Sequence, residues 1–131
     1  MSTKEITSDN FEETFEASEY LVLDFWAPWC GPCRSFAPTF EAVSEEHTDM
    51  VFGKVNTEEQ PELAKLFGIR SIPTLAIFRE QMPIFQQPGA LPETVLEELL
   101  GRVRELDMEE VRETHARRVA EAEAQAAAEQ G

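Results

Sequence analysis

The sequence predicts an α/β domain, a central sheet with parallel crossovers covered by helices on both faces, with a helical extension at the C-terminus. Two observations carry this expectation. The runs "YLVLDFW" (Tyr20–Trp26), "MVFGKVN" (Met50–Asn56) and "TLAIF" (Thr74–Phe78) are nearly continuous apolar stretches, the pattern of strands buried on both faces. Between and around them lie segments whose apolar residues recur at helical spacing. A chain of 131 residues at 42% hydrophobic content can fill one such domain with a real core.

The elements come in order along the chain. Asp9 or Ser8 is placed to cap a short helix carrying Phe11 and Phe15 on one face. The first buried strand, Tyr20–Trp26, leads into "CRSFAPTFEAVSEEH", where Phe36, Phe40 and Val43 share a helical face. After the second strand, Pro61 suits the first turn of a helix, "PELAKLF", that Gly68 would end. The third strand is succeeded by "MPIFQ" (Met82–Gln86), which Pro83 confines to a sheet edge. Leu96, Leu99, Val103 and Leu106 mark the stripe of an amphipathic helix within 91–106. Asp107, with Glu110 three residues on, offers a capping box for a fresh start. Beyond it Met108, Val111, Val119 and Ala122 give only a thin apolar face, and the end, "AEAEAQAAAEQG", favours helix but is apolar only through alanine. The expected organisation is a domain over residues 1–107 and an acidic, alanine-rich extension, helical or partly frayed, over 108–131.

The formal charge is −15, from 26 acids against 11 bases, and only six of the acids lie beyond Asp107. Acidity spread this widely repels nucleic acid and anionic membrane surfaces, so neither is an expected partner. The N-terminus lacks an apolar run of signal-peptide length and no later segment is apolar enough to span a bilayer. The expected location is cytoplasmic, where stable structural disulfides are rare.

Against that background, "WAPWCGPCRSFAP" (Trp26–Pro38) holds the only two cysteines, Cys30 and Cys33. A structural zinc site takes four Cys or His ligands, commonly as two separated pairs. Here the other ligand types are His47 and His115, the latter in the extension, so no metal is expected. A static staple across so short a loop removes little chain entropy. Reversible redox chemistry remains, and the position suits it, because the pair comes after a buried strand and opens a helix, where backbone N–H groups and the helix dipole favour a thiolate. Cys30, at the mouth of the turn, is expected to attack, and Cys33, one turn into the helix, to resolve the mixed disulfide.

Asp24 interrupts the apolar run of the first strand, where an unpaired charge is costly. A solvent-facing place near the strand end would explain it blandly. A buried place would raise its pKa and let it take a proton from Cys33. Lys54 interrupts the neighbouring strand in the same way and is placed to pair with Asp24.

"DFWAPWCGPC" (Asp24–Cys33) closely resembles the active-site segment of the thioredoxin family, and several motifs in the right order continue the likeness over residues 3–106. "GIRSIPTLAIF" (Gly68–Phe78) resembles the segment with the family's cis-proline, here Pro73. "PGA" matches the place of a groove glycine, here Gly89, and Pro38 falls where the family's second helix is kinked. The resemblance implies a thioredoxin fold with a mixed sheet, and a protein-disulfide reductase working by dithiol–disulfide exchange through a redox-active Cys30–Cys33 disulfide. It implies Cys30 as nucleophile, Cys33 as resolving thiol, Asp24 as buried base acting through water, and Lys54 tuning it. Trp29, Ile72, Pro73 and Gly89 would line the groove for an extended substrate segment. Gly31-Pro32 is the family's reductase-type pair, since oxidant and isomerase branches typically carry a histidine before the second cysteine. No bound cofactor is expected. Electrons would come from NADPH through a flavoprotein thioredoxin reductase, clients would be disulfide-containing proteins, and the chain would act as a monomer. A second reading, an interaction module whose extension carries the function, stays open on the sequence.

The chain departs from the family pattern at three places. Glu80-Gln81 stands where the last hairpin commonly has a glycine, Pro88 precedes the groove glycine, and a minimal thioredoxin has nothing like the segment after Asp107. His47 is expected to be solvated at a helix end.

Overall fold

The computed structural model describes residues 2–130. In chain order the elements are β1 (Thr3–Glu5), α1 (Phe11–Ala17), β2 (Tyr20–Trp26), α2 (Gly31–Glu46), β3 (Val51–Asn56), α3 (Pro61–Leu66), β4 (Thr74–Arg79), β5 (Met82–Pro88), α4 (Glu93–Glu105) and α5 (Met108–Gln130). The sheet order is β1-β3-β2-β4-β5. β3 runs parallel to both β1 and β2, whereas β4 is antiparallel to β2 and to β5, so the sheet is mixed.

Strand alternation divides the core into two layers. Tyr20 and Val22 of β2, with Phe52, Leu75 and Ile77, pack against Phe36, Phe40, Leu96 and Leu100 of α2 and α4. Leu21, Leu23 and Phe25 point the other way, with Val55, Ala76 and Phe78, and meet Phe11, Phe15 and Phe67 around α1 and α3. Asp24 shares the parity of Val22, and Lys54 that of Phe52, so both side chains leave the sheet on the α2 face.

The sequence did not announce β1, whose three residues are too few to show a period. The strand is held in place through its neighbour Ile6. That side chain is fully buried, and it lies over Gly53, where an added Cβ would collide with the Ile6 side chain and come within 2.9 Å of Leu23 Cδ2. Other boundaries shift modestly. Asn10 caps α1 rather than Asp9 or Ser8, while its side chain closes the preceding turn by accepting from the Thr7 amide and donating to the Glu5 carbonyl. In α4 the fully buried leucines are Leu96 and Leu100. Leu99 is only partly covered, and Leu106 ends the helix. β5 lies at the edge, as Pro83 requires, and runs on to Pro88.

One expectation is overturned. His47 is not a solvated histidine: its Nε2 lies 2.7 Å from Glu97 and its Nδ1 2.8 Å from an Arg104 nitrogen. Arg104 can only donate, so Nδ1 must accept and Nε2–H must point at Glu97. Of the two forms expected of the extension, the helical one is observed over its described residues. It is one continuous helix, begun by Asp107, whose Oδ1 accepts from the amides of Glu109 (3.1 Å) and Glu110 (3.4 Å). Met108 is buried, and Arg112 reaches Glu80 at 2.9 Å. Glu80 and Gln81 make the last hairpin turn at φ 51° and 66°, a conformation that glycine or asparagine adopts more cheaply. The Arg79 Nη1 donates to the carbonyls of Val103, Arg104 and Leu106, satisfying the end of α4 from the neighbouring strand. A groove of about 630 Å³, floored by Phe78, Ile84, Phe85 and Val111, separates the first turns of α5 from β5. From Ala116 to Gln130 every residue is exposed.

Candidate active site

β2 ends at Trp26, and the chain turns through Pro28 and Trp29 into the N-terminus of α2, with Cys30 as its cap residue. The turn is held by backbone bonds, Cys30 N–H to the Ala27 carbonyl at 3.1 Å and Thr57 N–H to the Trp26 carbonyl at 2.8 Å. Gly31 and Pro32 occupy the first turn of the helix, where a missing N–H costs nothing. Cys30 and Cys33 form a disulfide with Cα atoms 5.2 Å apart, within the usual span for such a bond. The Cys33 amide donates to Cys30 Sγ at 3.2 Å, so a backbone dipole points at the sulfur that would carry charge in the reduced form. Both cysteines are buried, while Trp29 beside them is 68% exposed.

The Ile72–Pro73 peptide is cis, and the Ile72 carbonyl oxygen lies 3.8 Å from Cys30 Sγ. Gly89 N–H donates to the Pro73 carbonyl at 2.7 Å, drawing the end of β5 against the proline loop. Gly89 has φ +108°, which a side chain would disfavour. Cys30, Ile72, Pro73 and Gly89, from three separate segments, therefore meet at one end of the sheet, and Trp29 stands out from it.

Asp24 lies beneath, 1% exposed, with neither carboxylate oxygen hydrogen-bonded to any described residue. Burial pushes its pKa from 3.8 to about 7, against the weaker opposing pull of Lys54. Asp24 and Lys54 are register partners, yet among the described residues no ion pair within 4.0 Å joins them. The Lys54 ammonium sits instead over the Trp26 ring, 4.6 Å from its centroid. That contact had no signature in the sequence. Arg34 was also passed over: its guanidinium donates to the Pro28 carbonyl at 2.9 Å, bracing the loop that carries Trp29. A cation directly after the second cysteine was the available signal. Among the described residues no cluster of three or more His, Cys, Asp or Glu is arranged to hold a metal, and no helix is long and apolar enough to cross a membrane.

A buried cysteine pair at a strand-to-helix junction, closed as a disulfide and facing a cis-proline loop, defines a thiol–disulfide oxidoreductase. Similarity to known proteins agrees. The family profile described as "Thioredoxin" matches residues 2–102, and the chain belongs to the thioredoxin family. It is 55% identical over 125 residues to a Streptomyces coelicolor protein described as "Putative thioredoxin 2", a match covering 95% of this chain and 90% of that one. It is 45% identical to thioredoxin 1 of Synechococcus elongatus over 70% of this chain and 86% of that one. The Streptomyces match is long enough to reach into α5. Among solved structures, Plasmodium falciparum thioredoxin superposes with a TM-score of 0.71 at 32% identity, covering 76% of this chain and 98% of that one.

Proposed function

We propose that this chain is a reductase of protein disulfides, with Cys30 as nucleophile and Cys33 as resolving thiol. The observation that carries the assignment is the asymmetry of the pair. Both cysteines are buried, but Cys30 caps the helix and its Sγ faces the Ile72 carbonyl of the cis-proline loop beside exposed Trp29, while Cys33 lies one turn into the helix. The Cys30 thiolate attacks one sulfur of the client disulfide, forming a mixed disulfide and releasing the other client sulfur as thiolate. Asp24, through water, accepts the Cys33 proton, and the Cys33 thiolate attacks Cys30 Sγ. This closes Cys30–Cys33 and releases the second client thiolate, so two electrons pass from this chain to the client. The released thiolates take up the protons. Lys54 tunes Asp24, and Ile72, Pro73, Gly89 and Trp29 receive the extended client segment.

Gly31-Pro32 supports the reducing direction, because no histidine precedes Cys33 to stabilise the reduced state. Electrons for the next cycle come from NADPH through a flavoprotein thioredoxin reductase, and no bound cofactor is required. In this reading the redox unit is residues 1–107, residues 108–131 are an extension, and the protein acts as a cytoplasmic monomer in cell redox homeostasis.

Cys33→Ser tests the roles directly. It is expected to accumulate covalent adducts with disulfide proteins, resolved on non-reducing gels and released by dithiothreitol. Cys30→Ser is expected to accumulate none. Equal trapping by both variants would reverse or abolish the assignment.

A further inference from the structure

The three segments that meet at the thiols are the longest carboxylate-free runs of the chain. Residues 25–40, 63–79 and 81–92 contain none of the protein's 26 carboxylates. The first supplies Trp29 and Cys30, the second Ile72 and Pro73, and the third Gly89. They do supply cations to the face. Arg34 is exposed with its guanidinium on the Pro28 carbonyl, two residues before Cys30. Arg70 is exposed two residues before Ile72, whose carbonyl touches Cys30 Sγ, and two residues span at most about 7 Å. Along the chain these runs are bounded by Asp24, which is buried, and by Glu41, Glu62, Glu80 and Glu93. The Thr57 amide on the Trp26 carbonyl brings the start of the Glu58–Glu59 pair to the edge of the face. A molecule of net charge −15 thus presents its thiols through a surface window whose exposed residues include no carboxylate from these segments and two arginines, with only the buried Asp24 carboxyl beneath it.

We infer that this window selects client segments whose disulfides are flanked by carboxylates, with Arg34 and Arg70 as the specificity-determining residues. The inference rests on the proposed reductase reading and names the client class of that same site. Two fields compete for such a client. The body repels it and the window attracts it, and the screening length decides which is felt. At about 0.15 M salt the screening length is roughly 8 Å, so a docked segment senses the window and little of the body. At about 0.01 M it is roughly 30 Å, and the whole acidic molecule contributes. At about 1 M, with roughly 3 Å, both fade. Preference for acidic clients should therefore pass through a maximum with salt, whereas a site recognised by shape alone has no such maximum.

The test uses the full-length protein, reduced beforehand, and two cyclic disulfide peptides of one core sequence flanked by Glu-Glu or by Lys-Lys. The readout is the second-order rate of disulfide opening, monitored by chromatography of quenched samples. At about 0.15 M salt the Glu-flanked peptide is expected to open roughly 5-fold faster, the ratio shrinking toward one at about 1 M and shrinking also at about 0.01 M. Arg34→Glu with Arg70→Glu is expected to invert the ratio, and Arg34→Gln with Arg70→Gln to bring it close to one. Equal rates, or faster opening of the Lys-flanked peptide, in the unmodified protein at about 0.15 M would overturn the inference without touching the reductase reading. Failure to open either peptide would remove that reading and the inference with it. The unmodified protein's salt series decides the matter even if the charge-reversed variant does not fold.

Discussion

Asp24 and Lys54 stand opposite each other in the register of β2 and β3, on one face of the sheet, and yet their charges do not meet. Lys54 places its ammonium on the Trp26 ring, leaving the Asp24 oxygens with no hydrogen-bond partner among the described residues. Desolvation therefore outweighs the attraction of Lys54, and the carboxyl holds its proton up to about pH 7.

The first prediction is a stability that depends on pH with an unusual sign. Between pH 3.8 and about 7 the folded protein keeps a proton on Asp24 that the unfolded chain has lost. Stability must fall as pH rises through that window. Asp24→Asn removes the effect and is expected to be more stable than the parent by roughly 4 kcal/mol at pH 8, with little difference below pH 4. Urea denaturation of both proteins across pH measures it. Parallel stability curves would mean that Asp24 does not titrate in that range.

A second prediction separates Lys54 from the base it tunes. Its charge lowers the Asp24 pKa, so Lys54→Ala should move the carboxyl further from its ordinary value. The rate of mixed-disulfide resolution, plotted against pH, is expected to rise with a midpoint displaced upward from that of the parent. Asp24→Asn should lack the rise. An unmoved midpoint in Lys54→Ala would assign the inflection to another group.

Gly53 offers a test of packing rather than chemistry. An added methyl group would enter the fully buried Ile6 side chain and press on Leu23. Gly53→Ala should therefore cost roughly 1–3 kcal/mol through overpacking, seen as a lower denaturation midpoint. Because β1 is held by this contact, its amides should lose hydrogen-exchange protection first.

The extension gives the fourth prediction. Ending the chain at Ala116 removes, among the described residues, only exposed ones and should leave stability within about 0.5 kcal/mol of the parent. Ending it at Asp107 also removes buried Met108 and the Arg112 contact to Glu80, at a cost of about 2 kcal/mol. Thiol chemistry should survive both truncations. Equal stability of the two shortened chains would deny α5 any anchoring role.

The strands and the dithiol pair were legible because their signals are local: continuous apolar runs, a CxxC at a strand-to-helix junction, a proline at a helix start. β1 was not legible, since three residues carry no period and its partner lies some fifty positions away. His47 was misread for a related reason. Its surroundings are set by Glu97 and Arg104, which α4 brings in from far along the chain. The Asp24–Lys54 neighbourhood was inferred correctly from two interrupted strands, but register alone could not say that the Trp26 ring would capture the ammonium. Residues within a few positions of each other fixed what could be read. The rest was decided where distant segments meet.

The 23 residues of α5, at 1.5 Å per residue, make a rod about 34 Å long. Its last fifteen described residues, about 22 Å, are exposed throughout. A globule of some hundred residues has a radius of gyration of about 13 Å, so a rod of this length adds to the drag on the particle. On a gel-filtration column the 14.9 kDa chain should elute early, at a position that globular standards assign to a larger species. Light scattering, which reads mass independently of shape, is the measurement by which its subunit number should be judged.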